Sequence, residues 1–214
     1  EKLADKSFAV KTEYSEYSAK SVIIAAGVKH KHLKTKENRE DLVGRGVYYC
    51  AVCDGPFYKG KEVAVIGDAN SALQYALLLS GYCKKVYMYT LFDKFFGDES
   101  LVKALRAKEN IEVRPNTNVV GFVGKDELEA IEYTDKDGSL CRQEIPAVFV
   151  AIGQEPDNAA FANLVDLDAA GYIVADESCK TRTEGLFVAG DCPTKAVRPV
   201  YTPVGARALA APKP

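Results

Sequence analysis

Short apolar runs separated by polar turns dominate this chain, and most of them are too short to be helices. Residues 62–66 are almost wholly apolar and end on Gly67, the pattern of a strand buried on both faces of a sheet. Leu73, Ala76, Leu77 and Ser80 then recur at helical spacing over residues 71–80, and residues 85–89 give another strand. The pattern predicts a right-handed β-α-β unit. A further helix over 100–108 and a strand over 111–113 extend it. Residues 118–125, 129–135 and 142–149 predict an antiparallel meander, with Asp137-Gly138 as a hairpin turn.

The flanks repeat one theme. Residues 7–12 and 17–20 read as a hairpin around 13–16, followed by an apolar run over 21–27 that ends on Gly27 and reads as buried on both faces. Similar runs occupy 147–153 and 185–191, and this repetition predicts two related nucleotide-binding folds, one inserted in the other. The expected class is α/β, with a Rossmann-like three-layer domain over residues 33–157 inserted between segments 1–32 and 158–214 that pair into a second domain. The charged, irregular stretch 28–41 is the candidate linker. The chain opens without Met in a strand-like stretch, as expected for a cut into the middle of a sheet.

Composition narrows the function. The 214 residues are 47% hydrophobic with no run long enough to span a bilayer, and the net charge of -2 gives no basic footprint for nucleic acid or an anionic membrane. Six cysteines are too few for a disulfide-stapled secreted module, and no signal peptide is visible, so a reducing cytoplasm is expected.

Cys50-Ala51-Val52-Cys53-Asp54 carries the sharpest chemistry. Two cysteines three positions apart at a helix start can close a small disulfide, and the following carboxylate can carry the proton that thiol chemistry moves. Zinc sites use the same spacing but need four ligands, and Cys83, Cys141, Cys179 and Cys192 are single and widely spaced, while His30 and His32 stand in a lysine-rich turn. Redox work is favoured over metal binding. Gly67-Asp68-Ala69-Asn70-Ser71-Ala72 lies between a predicted strand and helix, the setting of a dinucleotide fingerprint, but Ala69 stands where a second Gly would let a pyrophosphate approach. A tight turn with no ligand fits this motif equally well. At the end of the next strand Thr90-Leu91-Phe92 offers neither a cation for a 2'-phosphate nor an acid for a ribose. Gly190-Asp191 ends a buried strand and puts a carboxylate where a sugar or ribityl hydroxyl can be held, although such turns are common.

Together these residues resemble the low-molecular-weight thioredoxin reductases. The match rests on Gly44-Arg45-Gly46-Val47, on Cys50 through Lys61, on Ala25-Ala26-Gly27, on Phe149-Val150-Ala151-Ile152-Gly153 with Pro156, and on Gly185 through Asp191. The resemblance implies that FAD passes two electrons to a Cys50–Cys53 disulfide, with Cys53 facing the flavin, Cys50 attacking a thioredoxin-like partner, and Asp54 moving the proton. It implies FAD contacts at Gly27, Gly190 and Asp191, and at Arg198, Pro199 and Val200, where Pro199 replaces the family's Gln and removes a side-chain amide and a backbone donor. The family's first FAD strand and its Gly-rich turn, roughly eighty residues upstream, lie outside these residues, so the FAD pocket is expected to be incomplete in this chain.

The family's NADPH-reading cations align with Thr90, Leu91, Phe92 and Phe96, which counts against NADPH and resembles the ferredoxin-dependent flavin branch. Two other readings stay open at this stage. One is NADPH held by Lys84, Lys85 or Lys94; the other is a flavin-free redox or binding module. The family is commonly homodimeric.

Overall fold

Phe8 anchors the first element of the chain, a hairpin whose other positions are half-buried or exposed. In the computed structural model, which describes residues 1–35, 37 and 39–194, β1 (Phe8–Lys11) pairs antiparallel with β2 (Glu16–Ala19), with Phe8 opposite Ala19 and Lys11 opposite Glu16. β3 (Val22–Ile24) follows. The chain divides into two compact units, Glu1–Lys29 with the chain from Gln154 onward, and His30–Gly153; the short β4 (Lys29–His30) stands at the first passage between them.

The larger unit is built on a five-stranded parallel sheet. Its elements in chain order are β5 (Val47–Tyr48), α1 (Ala51–Asp54), β6 (Glu62–Ile66), α2 (Asn70–Ser80), β7 (Lys85–Tyr89), α3 (Glu99–Arg106) and β8 (Ile111–Arg114). Then come β9 (Asn118–Val123), β10 (Ala130–Thr134), β11 (Leu140–Glu144) and β12 (Val148–Val150). The sheet order is β5-β12-β6-β7-β8, and β9, β10 and β11 form a separate antiparallel sheet.

Side-chain alternation along β6 explains the layering. Val63 and Val65 join the core formed with Ala72, Leu73, Ala76 and Leu79 of α2. Ala64 and Ile66 point the other way, into a core with Val119, Phe122, Leu128 and Ile131 from the meander side. A strand covered on both faces must be apolar at every position, as the sequence predicts here. Fully burying each such aliphatic side chain stabilises the fold by roughly 1.5–3 kcal/mol before conformational entropy is counted.

Two elements differ from expectation. The run 142–149 is not one strand: β11 closes the antiparallel sheet, the chain passes through Pro146, and β12 joins the parallel sheet beside β6. Proline has no N–H to give a ladder, so it stands at the break. The apolar run 21–27 is also less buried than it reads. β3 has one hydrogen-bonded neighbour, the parallel β14 (Leu186–Val188), and Ile23 is 40% exposed with Ala25 and Ala26 also exposed. Only Ile24 is fully covered, in a core with Phe8, Val165, Ile173, Leu186 and Val188. β13 (Gln154–Glu155) stands at the second passage between the units.

Candidate active site

β5 delivers the cysteine pair. It runs parallel to β12, and immediately after it Tyr49 leads into Cys50, the N-cap of α1. Cys50 and Cys53 form a disulfide with a Cα–Cα distance of 5.3 Å. The Cys53 backbone N–H donates to Cys50 Sγ at 3.2 Å, and the Asp54 N–H donates to the Cys50 carbonyl at 3.1 Å, so the small ring and the first helical turn share their hydrogen bonds. Cys53 is exposed, while Cys50 and Asp54 are half-buried.

An aromatic bed holds this turn in place. Tyr48 hydroxyl lies 2.9 Å from Tyr58 hydroxyl, and both rings pack on the buried Phe149 of β12, at centroid distances of 5.6 and 6.3 Å. Tyr75 of α2 donates to the Tyr49 carbonyl at 2.8 Å, and His30 and His32 lie against the Tyr49 ring. Gly55 closes the turn where no Cβ fits: one would stand 2.2 Å from Tyr82 hydroxyl. Burial, the hydrogen bond shared with Tyr48 and the nearby carboxylates of Glu127 and Asp54 push the Tyr58 phenol above its ordinary value. On the solvent side Val52 and Phe57 are 70% and 76% exposed, so the disulfide sits among apolar surface.

The sequence singled out the cysteines and Asp54 but not these aromatic supports. Their only signal was the density of Tyr around the motif. Three of the four remaining thiols are buried and Cys141 is half-buried. Cys83 is buried and its thiol is pushed up to about 11, so it carries almost no thiolate at neutral pH. Cys179 and Cys192 are also buried. Among the described residues no group of three His, Cys, Asp or Glu side chains is placed to hold a metal ion.

A second candidate lies in the same unit, at the C-terminal edge of the parallel sheet. A cleft of about 400 Å³ is lined by Ile66, Gly67, Asp68, Ala69 and Ser71 after β6, by Tyr89, Leu91 and Phe92 after β7, and by Ala151, Ile152 and Gly153 after β12. Among the described residues Asp68 is its one charged side chain, and none of those that line it is a lysine or arginine. Asn70 and Ala72, the other fingerprint residues, face elsewhere: Asn70 binds Asp98 and Ala72 is buried in the core.

The lysines that might have served a phosphate are engaged. Lys84 pairs with Glu62 at 2.9 Å, Lys85 with Glu112, and Lys94 lies over the Phe96 ring. Arg114, behind Tyr89, donates to Glu112, Tyr89, Tyr133 and Gln143.

Burial raises the Asp68 carboxyl above its ordinary value. The folded chain then holds this proton more tightly than the unfolded chain, so ionisation removes stability as pH rises from 3.8 through the folded value. Asp68→Asn is therefore expected to melt higher than the parent at pH 7, with the gap shrinking as pH falls toward 3.8. Paired thermal melts across that range check it; a variant no more stable at pH 7 would contradict it.

In the other unit β3 and β14 end side by side, with the Ala189 N–H donating to the Ile24 carbonyl at 2.8 Å. Each strand then turns outward through a glycine of positive φ, Gly27 at +70° and Gly190 at +84°, and both glycines face open space. Asp191 stands half-exposed after this edge. Asn158 donates to the carbonyls of Gly171 and Cys192, next to Asp191, and its buried Oδ1 has no hydrogen-bond partner among the described residues. Arg198, Pro199 and Val200 lie outside the described residues.

Comparison with known proteins agrees with this geometry. A family described as pyridine nucleotide-disulphide oxidoreductase matches residues 2–207. A "34.2 kDa protein in rubredoxin operon" of Clostridium pasteurianum is 32% identical over 211 residues, 98% of this chain and 68% of that protein. A thioredoxin reductase of Listeria monocytogenes is 37% identical over 196 residues, 91% of this chain and 61% of the relative. Among solved structures, the thioredoxin reductase of Lactococcus lactis superposes with a TM-score of 0.85 at 31% identity, covering 96% of this chain and 68% of its own. The chain thus spans about 61 to 68% of the length of these relatives.

Proposed function

The chain belongs to the pyridine nucleotide-disulphide oxidoreductase family, and from that premise we infer that it is the disulfide-bearing part of a flavin-dependent reductase of the thioredoxin reductase type. Its substrate is the disulfide of a thioredoxin-like protein. The observation that carries this reading is the closed Cys50–Cys53 pair at the start of α1, next to a carboxylate and ringed by exposed apolar side chains.

The exchange follows from thiol chemistry. With the pair reduced, the Cys50 thiolate attacks one sulfur of the partner's disulfide, and the partner's other sulfur leaves as a thiolate and takes a proton. A mixed disulfide now joins the two proteins. The Cys53 thiolate then attacks Cys50 Sγ, re-forming the internal disulfide and releasing the partner as a dithiol. Two electrons and two protons pass to the partner in each cycle, and Asp54, one residue beyond Cys53, is the group that holds and returns a proton. In the oxidised pair Cys53 is the exposed member and Cys50 is half-buried.

The residues of the smaller unit fit FAD. A carboxylate acceptor at the end of a parallel strand pair, flanked by two open glycine turns, suits a polyol chain, and next to it the buried Asn158 Oδ1 has no hydrogen-bond partner among the described residues. Asp191, Gly27 and Gly190 would hold the group, which when bound would supply the two electrons that reduce the disulfide. The two units correspond on this reading to an FAD-type domain and a pyridine-nucleotide-type domain.

The residues of the cleft do not fit NADPH. A 2'-phosphate is normally met by charge-assisted hydrogen bonds worth about 1.5–3 kcal/mol each, and among the described residues no cation lines this wall. The electron donor is therefore a different one, and a reduced ferredoxin is the candidate that the likeness to the ferredoxin-dependent branch supports. The test is to follow bleaching of the flavin band in the full-length protein with NADPH and with reduced ferredoxin. Bleaching by ferredoxin alone is expected; rapid bleaching by micromolar NADPH would refute the donor assignment. A colourless full-length protein that cannot be reconstituted with flavin would favour a flavin-free redox module.

A further inference from the structure

We propose that the cleft at the C-terminal ends of β6, β7 and β12 binds a planar, phosphate-free heteroaromatic of nucleoside size that presents N–H donors to Asp68. Pockets for small ligands run from roughly 300 to 1,000 Å³, and this one, at about 400 Å³, lies at the small end. Its walls are apolar at Leu33, Ile66, Leu91, Val119 and Ile152, and Tyr89 and Phe92 also line it. Among the described residues Asp68 forms no ion pair, so an N–H donor edge would meet a carboxylate short of partners, whereas a phosphate would meet like charge.

Loop 90–98 folds against the start of α2, where Ala69 and Ser71 stay exposed on the cleft lining. Thr90 hydroxyl donates to the Phe92 carbonyl at 2.8 Å and bends the chain back after β7. The Phe96 N–H then donates to the Asp68 carbonyl at 2.8 Å, Phe96 bridges Ala69 in parallel, and the Asn70 side chain exchanges two hydrogen bonds with Asp98. Gly97 makes this approach feasible: a Cβ there would stand 2.4 Å from Leu73 Cδ1 and 2.6 Å from Asn70 Oδ1. The Phe92 and Phe96 rings meet edge to face at 5.3 Å beside the cleft mouth. Loop 90–98 thus takes the place of a phosphate-reading loop and supplies an aromatic surface instead.

This inference deepens the donor reading and rests on the same cleft, yet the two fail separately. NADPH can be excluded from a cleft that binds nothing. Adenosine, AMP and NADPH, titrated calorimetrically into the purified protein, are the probes. Adenosine should bind saturably and AMP at least about tenfold more weakly, because the added charge enters a lining whose one charged side chain among the described residues is a carboxylate; NADPH should bind no better than AMP. Asp68→Asn should weaken adenosine about tenfold by removing the charged acceptor of its N–H edge, and should narrow the gap between adenosine and AMP to about threefold. Phe92→Ala should weaken adenosine about tenfold through lost stacking, with its melting temperature near the parent's. AMP binding as tightly as adenosine, no saturable adenosine binding, or adenosine affinity unchanged in both variants would each overturn the proposal.

Discussion

Cys50→Ser and Cys53→Ser are each expected to lower thioredoxin-disulfide turnover by about 10³-fold or more, because a hydroxyl cannot form the sulfur–sulfur bond on which the two-electron transfer depends. The loss belongs to chemistry rather than to folding. The pair closes a ring with a sequence separation of three, and so short a loop stabilises the fold by only about 2 kcal/mol in the chain-entropy account. At Cys50 the serine hydroxyl also keeps an acceptor for the Cys53 N–H at the N-cap. The two variants separate the roles. Cys53→Ser leaves the attacking thiol without its resolving partner, so a mixed disulfide with the thioredoxin-like substrate should accumulate on a non-reducing gel. Cys50→Ser should trap none. The reverse pattern would exchange the roles of the two cysteines, and full turnover in either variant would refute the disulfide mechanism.

Gly67→Ala should cost about 3–5 kcal/mol of stability, the range of the most damaging single substitutions. Gly67 has φ of +138°, and an added Cβ would stand 2.4 Å from the Ala151 carbonyl oxygen and 2.9 Å from Ala72 Cβ. Neither neighbour can retreat at low cost. Ala151 is held by its N–H to the Ile66 carbonyl at 2.8 Å, and Ala72 lies in the core beneath α2. Gly60→Ala is the control: φ is +74° but nothing lies within 4 Å of its Cβ, so the loss should be about 1 kcal/mol. Urea melts of both variants decide it. Equal losses would mean that backbone conformation alone, and not the close approach of β12, makes glycine necessary at position 67.

The elements around the active site were legible where a period or a short motif sufficed. β6 follows from a nearly continuous apolar run and α2 from helical spacing, and the cysteine pair announces itself by separation. An apolar run, however, cannot tell one covered face from two, which is why the stretch ending at Gly27 reads as deeper than β3 lies. Pro146 was the available sign that the run 142–149 changes sheets. At residues 90–98 the sequence shows what is missing, the cations, but not what replaces them. The folding of that loop over α2 depends on Gly97 meeting Leu73 and Asn70, partners more than twenty positions away. The convergence of Tyr48, Tyr58 and Tyr75 on the disulfide turn is long-range in the same way, since each looks like an ordinary core aromatic along the chain.

That aromatic bed makes the protein its own optical reporter. The chain has 12 tyrosines and no tryptophan, so its ultraviolet emission is tyrosine emission undimmed by energy transfer to indole. A disulfide quenches nearby phenol fluorescence, and Tyr49 is bonded directly to Cys50, with Tyr48 and Tyr58 packed just behind it. Reduction of the pair is therefore expected to raise the tyrosine emission of this chain, a change that needs no label.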